Sequence, residues 1–136
     1  MLKPVLLSCL LLTVATVSFA DLYLSEKTRP HIKSLVNTEI ERLPIPATPK
    51  NMILPEFGKG IIGWGAGLKD AEARFLNINR ADVKTMKQAG LSLAMVQAWQ
   101  TFYENETLRN PGNPTAPFRA KLMKKNRQSL VNIQKS

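Results

Sequence analysis

From Ser92 to Met123 the chain reads SLAMVQAWQTFYENETLRNPGNPTAPFRAKLM. This spacing predicts two amphipathic helices joined by a polar turn of Asn and Pro. Ser92 is a good N-cap, because its hydroxyl can accept from an amide the first turn leaves unpaired. Leu91 and Val96 flank it as a hydrophobic staple. Val96, Trp99, Phe102 and Tyr103 then recur at steps of three and four, which places them on one helical face. Asn110-Pro111 ends that helix, since a residue before proline avoids the helical region and proline lacks an amide donor. Asn113-Pro114 is read as the restart, with Asn113 as cap and Pro114 at the first helical position. Phe118 and Leu122, four apart, mark the face of the second helix, which runs on through Leu130 and Ile133.

Upstream, Arg80 to Ala89 reads as a helix with Asn79 as its cap, Val83 and Met86 as its apolar side and Gly90 at its close. Asp70 to Leu76 is a shorter helical piece carrying Phe75. Phe57 to Leu68 holds five glycines around Ile61, Ile62 and Trp64. It lacks the Gly-Lys-Ser/Thr ending of a phosphate loop and the spacing of a dinucleotide fingerprint. It reads either as a tight turn with Trp64 as a core anchor or as a binding loop with Trp64 as a stacking platform. The Ile61-Ile62 step is the one place for a short strand. Pro44, Pro46, Pro49 and Pro55 predict an extended strap. Before it, Ile32, Leu35, Val36, Ile40 and Leu43 are spaced as an amphipathic helix from His31 to Leu43. The expected fold is all-α: a small bundle of four to five helices with a Pro-rich strap and a Gly-rich loop. The expected core is Trp99, Phe102, Phe118, Leu122, Val83, Met86, Phe75 and Ile62.

The 136 residues divide into a signal peptide (1–20), an N-terminal helix with Pro-rich linker (21–55) and a compact helical domain (56–136). A basic start, an apolar run from Val5 to Val17 and Ser18-Phe19-Ala20 are the three parts of a secretory signal. The run is too short to span a bilayer, which takes about 20 apolar residues, so no transmembrane helix is expected after cleavage. The expected location is periplasmic or secreted. Cleavage removes the single cysteine, Cys9, and with it disulfides, thiol nucleophiles and thiolate metal sites. It also removes Lys3, so the mature chain of 116 residues keeps a formal charge of about +8. That balance suits an anionic envelope component or an acidic protein partner; outside the cytoplasm, nucleic acid is the least available target. The last helix carries Arg119, Lys121, Lys124, Lys125 and Arg127 as a basic face.

Little in the chain supports catalysis. One histidine, His31, cannot build a Ser-His-Asp set, and there is no histidine or cysteine cluster for a metal. No cofactor is called for. Glu106 is the one catalytic candidate: it lies three residues from Tyr103 and seven from Trp99, where an apolar surrounding would raise its pKa. A cell-wall hydrolase would use it as the acid, with Glu72 or Asp70 as second carboxylate. The simpler reading is a local ion pair with Arg109. The binding candidates are Trp64, Tyr103, Arg109, Asn110, Asn113 and Arg119; Asn110 and Asn113 also serve as caps.

Gly63-Trp64-Gly65-x-Gly67, Ala73-Arg74, Gly90-Leu91 and Trp99-x-x-Phe102-Tyr103-x-Asn105-Glu106-x-x-Arg109-Asn110-Pro111-x-Asn113-Pro114-Thr115-Ala116-x-x-Arg119-Ala120-x-Leu122-Met123 resemble an uncharacterised bacterial domain. Such domains occur alone behind signal peptides and at the ends of Rhs or haemagglutinin-type secreted proteins. The resemblance covers about Phe57 to Leu130 and leaves out Asp21 to Pro55. It implies a role in interbacterial competition, as a toxin-associated protein or as a periplasmic immunity protein. It carries over no catalytic residue.

Overall fold

The computed structural model describes residues 35–136. The expected signal peptide, Cys9 and His31 lie outside the described residues. Five helices and no strand make up the described residues, so the all-α expectation holds. They are α1 (Leu54–Phe57), α2 (Leu68–Asn77), α3 (Arg80–Gln88), α4 (Leu93–Arg109) and α5 (Ala116–Lys135).

The α4–α5 hairpin is the frame. Ser92 caps α4 by accepting from the Met95 amide at 3.1 Å, and Leu91 and Val96 are both buried as a staple requires. Asn79 caps α3 with a full capping box, its side chain accepting from Ala81 and Asp82 while the Asp82 carboxylate takes the Asn79 amide. Gly90, at φ 104°, ends that helix as expected. The turn after α4 differs in detail. Asn110 ends the helix, but Asn113 does not cap α5 directly. Its Oδ1 accepts from the Thr115 amide and hydroxyl at 3.1 and 2.8 Å, so it folds the turn, and α5 starts later with Thr115 before it and Pro117 in its first turn.

The core runs through Phe57, Ile62, Val83, Leu91, Val96, Trp99, Phe102, Leu122, Met123 and Leu130, all buried. Phe75 and Met86 pack against it from a partly buried position. Phe118 is only half-buried. It lies 6.5 Å from the Phe75 ring with the Lys121 ammonium 5.2 Å above it. The basic face of α5 is therefore divided. Lys125 donates to the Phe75 and Leu76 carbonyls at 3.1 Å, satisfying acceptors that the end of α2 leaves open. Arg119 turns inward to the cleft described below.

Two expectations are corrected. The glycine-rich stretch is not a loop at its start. α1 continues through Gly58–Ile62 as a wider helical turn, closed by the Gly63 amide donating to the Gly58 carbonyl at 2.8 Å. Ile61 and Ile62 are thus helical and buried, and no strand forms there. Nor does the described part of the expected helix, Leu35 to Leu43, form one. Asn37 is the reason: its side chain accepts from the Glu39 amide at 3.0 Å, a local turn that competes with helix. Its own amide donates to the Arg109 carbonyl at 2.7 Å, one of the acceptors α4 leaves unpaired at its end. The segment is a continuous strap from Leu35 to Ile53. The Ala47 carbonyl accepts from the Trp99 indole at 3.0 Å, and the Glu41 carbonyl from Asn105 at 3.2 Å. Leu43 and Met52 pack on the core.

Candidate binding cleft

Helix α4 presents Trp99, Phe102, Tyr103 and Glu106 on one face, at spacings of three, four and seven. Trp99 is the hub. Phe57 stacks on it at 5.2 Å, Tyr103 at 6.0 Å, and Phe102 meets it edge-on at 5.5 Å. Trp64 closes the group at 6.2 Å and 70°. Its ring rests on the backbone of Gly58, where a Cβ would sit 2.0 Å from the indole. Trp64 is therefore an anchor on the core and also a wall of an opening, a cleft of about 330 Å³.

The Trp64 indole N–H donates to the Tyr103 hydroxyl at 2.6 Å, tying the glycine-rich turn to α4. Burial pushes the Tyr103 phenol above its ordinary value of 10.0, with the Trp64 hydrogen bond and the Arg119 charge acting the other way. The hydroxyl thus stays protonated at neutral pH and keeps a proton to donate. The Arg119 guanidinium stands over the Tyr103 ring at 5.8 Å. Its Nη2 reaches the Gly63 carbonyl only at 3.5 Å, and its buried Nε has no hydrogen-bond partner among the described residues.

Glu106 is buried, at 6% exposure. Its two oxygens accept from Arg109 Nε and Nη2 at 2.7 and 3.1 Å, a bidentate pair. Arg42 of the strap approaches the same carboxylate at 3.5 Å and lies over the Phe102 ring at 5.8 Å. The Arg109 hydrogen bonds hold the Glu106 carboxyl below its ordinary value of 4.5; burial opposes them, and the charges of Arg109 and Arg42 add to them. Of the two readings of this site, the local ion pair with Arg109 is the one that forms, and the raised pKa of the hydrolase reading is corrected: the apolar wall is there, but the paired guanidinium outweighs it. Asp70 and Glu72, the expected second carboxylates, are exposed on α2 and line no part of the cleft. Among the described residues no group of three or more His, Cys, Asp and Glu side chains could hold a metal ion.

Of the sequence candidates, Trp64, Tyr103, Glu106, Asn113 and Arg119 line the cleft together. Arg109 stands behind Glu106, and Asn110 is the end of α4. Arg42, Ile45 and Phe102 also line it and were not among the candidates. Phe102 carried the core signal of its helical spacing. Arg42 and Ile45 lie in a segment whose spacing reads as helix or connector, so only the strap's path brings them here.

Residues 32–130 match the family described as Domain of unknown function (DUF4951). The chain belongs to this family. The match begins well upstream of Phe57, so the family domain takes in the strap as well as the helices. An NMR structure of a protein from Acinetobacter baumannii is 49% identical, over 68% of this chain and 87% of that one, with a TM-score of 0.58. The DUF4951 fold is thus similar to one with an experimental structure. No curated protein matches the chain. No helix among the described residues is long and apolar enough to cross a membrane.

Proposed function

We propose that this DUF4951 protein is a small exported binding domain of the bacterial envelope that acts without catalysis. The observation that carries the reading is the state of Glu106. A glycan-cleaving acid must hold a proton at working pH. Glu106 is kept ionised by a bidentate arginine and has no partner carboxylate in the cleft among the described residues. The cleft is instead suited to binding: an aromatic wall, a hydroxyl donor and a cationic side chain short of acceptors. Export rests on the signal-like first twenty residues. A tie to interbacterial competition rests on the resemblance to domains that end Rhs and haemagglutinin-type proteins. The formal charge of about +8 on the mature chain supports an anionic envelope component or an acidic protein as partner.

The test is co-sedimentation of residues 21–136 with isolated cell-wall sacculi and with membrane vesicles. Binding that weakens as salt rises is expected, because exposed charges are screened over about 10 Å at 0.1 M. Soluble fragments released from the sacculi, and lost with Glu106→Gln, would establish the hydrolase instead. Absence of binding to either fraction overturns the envelope reading.

A further inference from the structure

We infer that the cleft takes a monocarboxylate carrying a small apolar group, such as the end of a peptide chain or a free short acid. The inference rests on the binding reading above and names the ligand class of the same site. Two guanidiniums, Arg109 and Arg42, reach one carboxylate, Glu106, at 2.7 and 3.5 Å, and a third, Arg119, lines the same cleft. Arg109 already matches both of its oxygens. The positive charge left over in the cleft lining is therefore on Arg42 and Arg119.

Arg119 is the less satisfied of the two. Its hydrogen bond to the Gly63 carbonyl is long, at 3.5 Å, the Tyr103 hydroxyl is its other polar neighbour, and its buried Nε has no acceptor among the described residues. A charged donor without an acceptor costs more than a neutral one, and a planar fork is best met by two coplanar oxygens. A carboxylate supplies them, and the Tyr103 hydroxyl beside it adds a donor. A phosphate is tetrahedral and has no apolar group to bury, so it matches the planar fork and the apolar wall less well than a carboxylate bearing a small apolar group. Apart from Asn113, the remaining wall is apolar, with the Trp64 face, Phe102 and the half-exposed Ile45. About 330 Å³ holds one or two residues' worth of ligand rather than a folded surface.

The chain has two tryptophans, and their indole N–H groups report on different places. Trp64 donates to Tyr103 inside the cleft, and Trp99 to Ala47 of the strap. Residues 21–136, labelled with ¹⁵N, are titrated with N-acetylalanine, its neutral amide, isobutyrate and inorganic phosphate. The expected result is a saturable shift of the Trp64 indole peak with both carboxylates, and at least about tenfold weaker binding of the amide. Arg119→Gln should weaken N-acetylalanine at least about tenfold, and Tyr103→Phe several-fold. If Arg119→Gln does not fold, Tyr103→Phe and the amide decide. N-acetylalanine binding better than isobutyrate identifies a peptide terminus; equal binding identifies the free acid. Equal binding of acid and amide, tighter binding of phosphate, or no saturable shift with either carboxylate overturns the inference. Sacculus or vesicle binding that persists in that case leaves the envelope reading standing and removes only this ligand.

Discussion

Gly58 has ordinary helical angles, φ −59° and ψ −46°, so its backbone does not require glycine. On propensity alone, alanine there would be better by up to about 1 kcal/mol. The Trp64 ring decides otherwise, since an added methyl would lie 2.0 Å from it. Gly58→Ala is expected to destabilise by about 1–3 kcal/mol through overpacking, measured as a lowered denaturation midpoint. Gly60, two residues on, faces open space, and Gly60→Ala should be neutral or slightly stabilising. Equal effects at the two sites would remove the ring as the cause. Glu106 gives a second test at this scale. Its folded pKa is depressed, so the stability it contributes is present above its ordinary value of 4.5 and is lost as pH falls through the folded pKa. Glu106→Gln should therefore lower the melting temperature at pH 7, and its deficit should shrink as the medium is acidified below pH 4.5. A deficit that stays constant down the acid limb would mean the side chain acts by shape alone.

Helix ends are where local sequence speaks most directly, because caps satisfy donors within three residues. Ser92→Ala should cost about 1 kcal/mol, which for a domain of this size lowers the melting temperature by roughly 4–8 °C. A shift under about 1 °C would show that the Met95 hydrogen bond is exchanged for water without loss. The same locality explains what was legible. Ser92, Asn79, Gly90 and the helix end at Asn110 are readable because their partners are near in sequence. The α4 spacing brought Trp99, Tyr103 and Glu106 together for the same reason. The Pro-rich part of the strap is legible from its prolines, but Leu35 to Leu43 is not, because its apolar spacing is helical while the hydrogen bonds of Asn37 and Glu41 are made with Arg109 and Asn105, more than fifty residues away. Arg42 entered the cleft by that route. For Glu106 the spacing leaves two readings, a raised pKa and an ion pair with Arg109, because an apolar neighbourhood and an arginine pair push its pKa in opposite directions. Only the observed bidentate geometry shows which one wins.

At the scale of the molecule, the strap decides whether the helices alone are a stable body. A boundary at residue 55 assigns it to a linker, and a linker can be removed at little cost. Its contacts argue for more. Pro49 is buried against Gly90, Leu43 and Met52 pack on the core, and the buried Trp99 indole has its acceptor on Ala47. Each well-buried apolar side chain contributes about 1.5–3 kcal/mol, and the half-buried ones less. A buried indole donor left without an acceptor costs about 1–3 kcal/mol more. Together these are a large part of the 5–15 kcal/mol that stabilises a typical domain. Residues 56–136 alone are therefore expected to melt well below residues 21–136, by more than about 10 °C, with the Trp99 emission shifted toward that of a solvated indole. They should also lose the Arg42 side of the cleft, so that any ligand of Arg119 binds a more open site and leaves faster. The same melting temperature and the same Trp99 emission for the two fragments would show that the strap is only a connector. The DUF4951 match beginning at residue 32 would then need an explanation other than stability.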